Sequence, residues 1–334
     1  MGKQCTKCAY PWQQLIIDLT GEVVPCCFWS GYGNFGKPLG NTNVNTIEEI
    51  WNNDAYQDLR KRMASGNLEN HPCNNCMSRR WSNDKSFPAF TSSGFSHYEG
   101  FCYTKRILDS FLAKISYNYD NISLYEDDVP LVKCSDKNKL INEGAGKFLV
   151  DGDIIYFAPT NNQNPLANEA VYKIAAGGSE LLLSDFAKDS LSGKNILTAY
   201  REYEEGQVKL SAKPTLLSYI STSDCNIDCP ACSQNMVRFL GVRHKKMTTK
   251  AVIDHVPYLQ QLIWHGGEPY LIRELREFID KFTTEKNPNL IFGFTSNGTL
   301  LSPDEVLKLQ KFPKLNFSIS FDSFNKTTYE KIRK

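Results

Sequence analysis

The chain of 334 residues is long enough for two or three domains of about 100–150 residues, each with a sizeable core. Its 38 basic and 37 acidic side chains nearly cancel, which leaves no global field to draw in nucleic acid or an anionic membrane surface as a partner. No apolar run reaches the roughly 20 residues of a spanning helix, and the start, MGKQCTKCAYPW, lacks the basic and apolar regions of a signal peptide, so the expected compartment is the cytoplasm.

Eleven cysteines without a secretion signal, grouped as C-x2-C and C-x3-C-x2-C, read as reduced, metal-binding thiolates rather than a disulfide framework. Residues 1–82 form a cysteine-rich module. Cys5 and Cys8 precede Pro11-Trp12, and Leu15 to Leu19, Thr20-Gly21-Glu22 and Val23-Val24 predict a short hairpin that delivers Cys26 and Cys27. After a Gly/Asn-rich loop, Gly31 to Asn45, one helix is predicted from about Thr46: Ile47, Ile50, Trp51, Leu59 and Met63 recur near helical spacing, and Thr46 with Glu49 makes a capping box. The helix leads to Cys73-Asn74-Asn75-Cys76. A zinc site of Cys5, Cys8, Cys73 and Cys76 and an iron–sulfur site both suit these residues. The separation between the two pairs is far above the ~15–20 residues of a zinc ribbon, and a zinc site strands Cys26, but thiolates alone do not distinguish the metals.

Residues 83–213 predict a small mixed or β-rich domain. Tyr103 to Tyr117 reads as a helix with Ile107, Leu108, Phe111, Leu112 and Ile115 on one face, and Gly146 to Ala158, Asn161 to Asn168 and the surroundings of Gly177-Gly178 as short strands between turns. Glu126-Asp127-Asp128 reads as a solvated loop. Cys102 and Cys134 stand alone, as small buried hydrophobes do. The segment suits substrate recognition or a spacer.

From residue 214 onward strand and helix signals alternate, which predicts parallel βα units with crossover helices and hence an α/β fold. Strand one spans about Leu216 to Thr222, and from its carboxyl end hangs a loop with Cys225, Cys229 and Cys232. A helix from Thr248 is expected to end near Pro257; strand two, Gln261 to Trp264, ends at Gly266-Gly267-Glu268-Pro269; a helix follows from Leu271 to Phe282. Strand three, Leu290 to Thr295, leads to Ser296-Asn297-Gly298. Ser302-Pro303-Asp304-Glu305 has the form of a helix start, and strand four, Leu315 to Phe321, alternates so that Leu315, Phe317, Ile319 and Phe321 face the helices and Asn316, Ser318, Ser320 and Asp322 face inward. Three cysteines leave one iron of a 4Fe-4S cube open, where a zinc ion would borrow a fourth ligand.

Cys225-x3-Cys229-x2-Cys232, His265-Gly266-Gly267-Glu268-Pro269, Thr295-Ser296-Asn297-Gly298 and Ser318 to Ser323, in that order, resemble the radical S-adenosylmethionine (radical SAM) enzymes. The resemblance covers Pro214 to Lys334 and implies a partial (β/α) barrel. It further implies that Cys225, Cys229 and Cys232 hold a 4Fe-4S cluster, and that SAM occupies the open iron and is cleaved by one electron to a 5′-deoxyadenosyl radical. The Gly266-Gly267-Glu268-Pro269 turn would bind the SAM amino group, Ser296 and Asn297 its carboxylate or ribose, with Asp322 nearby unless it caps the fourth helix. Ala231 replaces the family's usual aromatic beside the third cysteine, which leaves Tyr219 or Phe239 to cover adenine.

Residues 1–82 are similar to the SPASM domain of such enzymes. This likeness implies an auxiliary 4Fe-4S cluster on Cys8, Cys26, Cys73 and Cys76, with Cys5 and Cys27 as alternatives to Cys8 and Cys26. The module leads the core here, whereas in the family it usually follows. A six-unit barrel would also be truncated after about four βα units, so the chain is expected to be a fragment. Implied partners are a peptide or protein substrate first, a small molecule second, and a flavodoxin- or ferredoxin-type reductant. The competing expectation is a non-catalytic zinc or iron–sulfur scaffold.

Overall fold

The computed structural model describes residues 8–29, 36–76, 95–98, 102–106, 121–151, 154–163, 165, 170–176, 179–182, 189–230, 232 and 246–333. Two compact units emerge, one of Met1–Cys8 and Cys76–Lys188, the other of Ala9–Asn75 and Asp189–Lys334. The stretches read from sequence as 1–82 and 214–334 thus contribute most of their residues to one unit.

That unit begins with a turn of helix, α1 (Tyr10–Gln13), which feeds β1 (Gln14–Ile17). β1 pairs antiparallel with β2 (Glu22–Val24), and β2 with β3 (Gly40–Asn41). The predicted hairpin is present. Gly21 turns it at φ 85°, while Asp18 Oδ1 accepts from Thr20 N–H, Thr20 Oγ1 and Glu22 N–H at 2.7–2.9 Å. The single predicted helix is two, α2 (Ile47–Trp51) and α3 (Asp54–Ser65). The capping box at Thr46 and Glu49 is formed. The break falls at Asn52, whose amide both donates to Leu210 O and accepts from Leu210 N–H at 2.9 Å, and Asn53 then caps the second helix. These side-chain bonds to backbone outcompete helix continuation.

The other unit is β-rich. β4 (Phe95–Tyr98) and β5 (Cys102–Arg106) come first, followed by β6 (Ser123–Glu126), β7 (Val129–Pro130) and β8 (Val132–Lys133). Helix α4 (Lys137–Glu143) precedes β9 (Lys147–Asp151), β10 (Ile154–Ala158), β11 (Tyr172–Ala176) and β12 (Ser179–Leu182). They make a five-stranded sheet ordered β4-β5-β10-β9-β8 and a four-stranded sheet ordered β12-β11-β6-β7. Ile155 and Phe157 meet Leu124, Tyr172 and Ile174 in one core, while Tyr156 and Ala158, on the alternate face of β10, pack with Leu140 and Cys134. Burial raises the Cys134 thiol pKa.

Three expectations are corrected in this unit. Tyr103 to Arg106 lie in a strand rather than a helix, because each pairs across to β10; residues 107–117 fall outside the described set. Glu126 is buried rather than solvated, accepting from Tyr172 Oη at 3.1 Å and Thr160 N–H at 2.8 Å. Among the described residues of 161–168 there is no strand.

The chain returns to the unit of Ala9–Asn75 and Asp189–Lys334 through α5 (Leu191–Glu205), capped by Ser190 and stopped at Gly206. Then come β13 (Leu216–Ile220), α6 (Lys246–His255), β14 (Gln261–His265), α7 (Arg273–Lys281), β15 (Ile291–Ser296), α8 (Pro303–Leu309), β16 (Lys314–Ile319) and α9 (Lys326–Ile332). Each predicted strand and helix is present within a few residues. β13 to β16 are mutually parallel, and the seven-stranded order is β16-β15-β14-β13-β1-β2-β3. β1 runs parallel to β13, so the amino-terminal hairpin extends the sheet and covers the edge that β13 would otherwise present, leaving the short β3 as the outermost strand.

Register fixes the two faces. Leu217, Leu262, Phe292 and Leu315 share one, as do Tyr219, Trp264, Phe294 and Phe317. Tyr219 Oη bonds Thr249 of α6, and Phe278 of α7 meets Phe292 edge-on, so this face lies under the helices. Tyr219 therefore points away from the opposite face and is not placed to cover adenine there; Phe239 lies outside the described residues. At the β16 edge Leu315, Ile319 and Phe321 are exposed.

Residues 9–60 are stitched to the segment 207–213. Trp12 Nε1 donates to Gln207 O, Trp51 Nε1 to Ala212 O, and Lys213 pairs with Glu48. Arg60 has no exposed surface. Its guanidinium donates to Pro11 O (2.8 Å), Trp51 O (2.8 Å) and Val208 O (3.1 Å) and lies over the Trp51 ring. Desolvation lowers its pKa to about 10, still a cation at neutral pH. Arg60→Ala would strand three buried carbonyls at about 1–3 kcal/mol each, partly relieved by water. The expected loss is about 3 kcal/mol or more, read as a lower denaturant midpoint, with only partial rescue by Arg60→Lys.

His255, at the end of α6, is also buried, with Glu48 3.7 Å from Nδ1 and Lys213 beside it. Burial pushes its pKa down to about 4 against the opposing pull of Glu48. The unfolded chain, titrating near 6.5, takes up a proton that the folded ring refuses, so this site costs nothing above that pH and destabilises progressively as pH falls toward 4. Denaturation midpoints from pH 7.5 to 4.5 should decline less steeply in His255→Phe than in the wild type.

Candidate functional site

The carboxyl ends of β13, β14 and β15 converge where the sequence places its motifs, as parallel α/β sheets do. Beyond β13, Ser221 donates through its N–H (2.9 Å) and Oγ (3.1 Å) to His265 O, fixing the loop to the end of β14. Gly267 N–H then donates to Thr222 O at 2.7 Å and Glu268 N–H to Asp224 O at 2.8 Å. The two loops run so close that a Cβ on Gly267 would sit 2.2 Å from Asp224 O and 2.6 Å from Ser223 O. Gly266, at φ 152°, carries the turn. Both glycines are therefore required by space or conformation.

Glu268 is fully buried. Its carboxylate accepts from Tyr270 N–H (3.0 Å), Ser296 Oγ (3.0 Å) and Asn297 N–H (2.8 Å). A buried charge needs such compensation, and here it is met by neutral donors from two strand ends. Pro269 starts the short 3-10 turn that carries Tyr270 beneath it. Asn297 continues the network: its Nδ2 donates to Asn226 Oδ1 at 2.8 Å and to Cys225 Sγ at 3.5 Å, and its Oδ1 accepts from Thr299 N–H (2.9 Å) and Oγ1 (2.6 Å). Asn226 and Thr299 bond each other at 2.7 Å.

Cys229 is buried and Cys225 and Cys232 are half-buried, with Cys232 N–H donating to Cys229 O at 3.1 Å. Asp322 pairs with Arg333, and Arg333 Nη1 reaches Cys229 Sγ at 3.7 Å. The fourth helix is capped by Asn325, so Asp322 is not its cap. His265 is half-buried on the face opposite the helices, in register with Ile220, and burial lowers its pKa. Residue 231 lies outside the described set.

In the amino-terminal segment Cys26 is buried and Cys27 exposed, Cys8 and Cys76 are half-buried, and Cys73 N–H donates to His71 Nδ1 at 3.2 Å. Cys5 lies outside the described residues.

Among the described residues no three His, Cys, Asp or Glu side chains converge as a single ion requires. A cube takes each thiolate at a different iron, so its ligands need not meet at one point. Three cysteines on one loop, with N–H donors aimed at two of their sulfurs, fit such a cluster. Sequence patterns found the cysteines and the turn but missed Asn226, Thr299 and Arg333. The one local signal for Asn226 was its position next to Cys225.

Residues 219–334 match the model of the radical SAM superfamily, and residues 8–77 that of the SPASM iron–sulfur cluster-binding domain. Among curated proteins, the AdoMet-dependent heme synthase of Methanosarcina barkeri (strain Fusaro / DSM 804) is 29% identical over 131 residues, 38% of this chain and 36% of that protein. The match thus spans about a third of the relative's length.

Gly267→Ala is expected to disrupt the paired loops. The obstructing atoms are backbone, so overpacking should cost about 3 kcal/mol and iron retained at the triplet should drop. Gly66→Ala, at φ 75° with open space around its Cβ, should cost only about 1 kcal/mol and leave iron content unchanged. Iron assay and denaturation of both variants check this.

Proposed function

From the premise that the chain is a member of the radical SAM superfamily carrying a SPASM iron–sulfur module, we propose that it is an enzyme that cleaves SAM reductively and abstracts hydrogen from a substrate, a peptide or protein by preference. The observation that carries this reading is the three-thiolate loop of Cys225, Cys229 and Cys232 locked against the Gly266-Gly267-Glu268-Pro269 turn. A 4Fe-4S cluster held by these thiolates would supply the one-electron reduction that cleaves SAM.

The chain's own residues hold and orient. Cys225, Cys229 and Cys232 are the cluster ligands, and three thiolates leave one iron for a substrate-like ligand. Gly266 and Gly267 would present backbone groups to the SAM amino group, and their lack of a Cβ lets the turn close on Thr222, Ser223 and Asp224 of the cysteine loop. Glu268 and Pro269 fix the turn, Glu268 by tying it to Ser296 and Asn297, which border the same mouth. Asp322 enters this set as an ion pair with Arg333. Cys8, Cys26, Cys73 and Cys76 are proposed to hold the auxiliary cluster. The burial of Cys26 against the exposure of Cys27 favours Cys26 over its neighbour. Electrons are expected from a flavodoxin- or ferredoxin-type reductant.

The preference for a peptide rests on the sheet face opposite the helices. Ser218, Ile263, Gly293 and Asn316 form one row, and Thr295 and Ser318 share the next, which also carries Ile220 and His265. These hydrogen-bonding groups are uncharged, given the lowered pKa of His265, and suit amides better than carboxylates. A heme-related small molecule is the second reading, favoured by the name of the relative. Among the described residues no helix is long and apolar enough to cross a membrane.

The test is anaerobic reconstitution with iron and sulfide, then dithionite and SAM, with 5′-deoxyadenosine quantified. Release is expected from the wild type and only background from Cys229→Ala. An iron-loaded wild type that releases none would reject the proposal.

A further inference from the structure

The structure assigns to Asn297 and Arg333 a role beyond the SAM site: they are hydrogen-bond donors to the cluster's cysteine sulfurs and set its reduction potential. This rests on Cys225, Cys229 and Cys232 being the cluster ligands.

Neither residue belongs to the cysteine loop. Asn297 follows β15 and delivers Nδ2 to Cys225 Sγ at 3.5 Å. Four bonds aim it. Its backbone N–H is held by Glu268 at 2.8 Å, its Oδ1 by the N–H and hydroxyl of Thr299, and its Nδ2 also by Asn226. With Oδ1 occupied by two donors, the amide cannot turn over without breaking both, so Nδ2 is the atom that faces sulfur. Arg333 lies just beyond α9, and its Nη1 reaches Cys229 Sγ at 3.7 Å while Nε pairs with Asp322. Asp322 offsets much of the guanidinium charge, so the directed N–H is the larger part of what reaches the sulfur.

Reduction adds one negative charge, shared between the irons and their sulfur ligands. An N–H directed at a ligand sulfur stabilises that charge and makes the cluster easier to reduce, and hydrogen bonds to sulfur are among the factors that set iron–sulfur potentials. Cys225 and Cys229 each receive such a donor, one from the end of β15 and one from the end of the chain segment after β16. Because Glu268 holds Asn297, the turn assigned to SAM and the sulfur of Cys225 are joined by a single residue. Asn297 and Arg333 are thus positioning residues that act through the ligands.

The experiment is an EPR-monitored redox titration of the full chain, reconstituted anaerobically without SAM. The relevant signal is the one lost in Cys229→Ala. At the potential where the wild-type cluster is half reduced, Asn297→Ala is expected to lower the reduced-to-oxidised ratio about tenfold, equivalent to about 59 mV for one electron. Asn297→Gln, which keeps an N–H on a longer arm, should recover part of the shift. Arg333→Gln should lower the ratio severalfold. A ratio within twofold of wild type in iron-loaded Asn297→Ala overturns the inference. Should Asn297→Ala fail to retain iron, an unchanged ratio in Arg333→Gln overturns it instead. A wild type that assembles no such cluster refutes the underlying ligand assignment, a result separable from a loaded wild type whose variants do not shift.

Discussion

A carboxylate sealed from water must be met by donors, and the way Glu268 is met organises the site. Tyr270 N–H, Ser296 Oγ and Asn297 N–H surround it, drawn from its own turn and from the next strand end. Leaving a charged group buried and unpaired would cost several kcal/mol, so these donors cannot drift. The turn after β14 is thereby bound to the loop after β15, and Asn297 extends the constraint to Cys225 and Asn226. On the other side Gly267 presses against Asp224 and Ser223 with no space for a methyl group. The cysteine loop is thus held between two neighbours, and parallel register brings all three to one end of the sheet.

The sheet is itself a joint product of distant parts of the chain. β1 pairs in parallel with β13, and Trp12, Trp51, Asn52 and Arg60 tie residues 9–60 to the segment just before β13. Arg60 is fixed by backbone carbonyls rather than by a carboxylate, so its geometry reports on backbone placement across three segments. This arrangement makes residues 9–75, with Cys26, Cys27 and Cys73, part of the same unit as the core, whereas Cys8 and Cys76 are counted with the other unit.

Much of this was legible locally. Alternation fixed the strands, the Ser302-Pro303 start and the Thr46–Glu49 box fixed helix ends, and C-x3-C-x2-C followed by Gly-Gly-Glu-Pro marked the chemistry. These signals sit within a few residues of one another and depend on backbone conformation alone. What was not legible depends on contacts across long stretches of chain. Nothing in Leu15 to Ile17 announces a parallel partner some two hundred residues away, as β1 finds in β13. Nothing in the residues around Arg60 announces that its guanidinium will lie over Trp51 and bond Val208 O. Tyr103 to Arg106 carry a helical apolar spacing onward, yet pairing with β10 overrides it. Glu126 looks solvated beside two aspartates, and is buried because Tyr172 and Thr160 supply donors.

The central claim is that Cys225, Cys229 and Cys232 hold a cluster whose remaining iron accepts SAM. Its most direct measurement is electron–nuclear double resonance of the reduced protein with SAM labelled with nitrogen-15 and oxygen-17 in the methionyl group. Hyperfine coupling from both nuclei to the cluster is predicted in the wild type, with none when Cys225 is replaced. An iron-loaded, SAM-saturated wild type without such coupling, or coupling that survives the replacement, would contradict it.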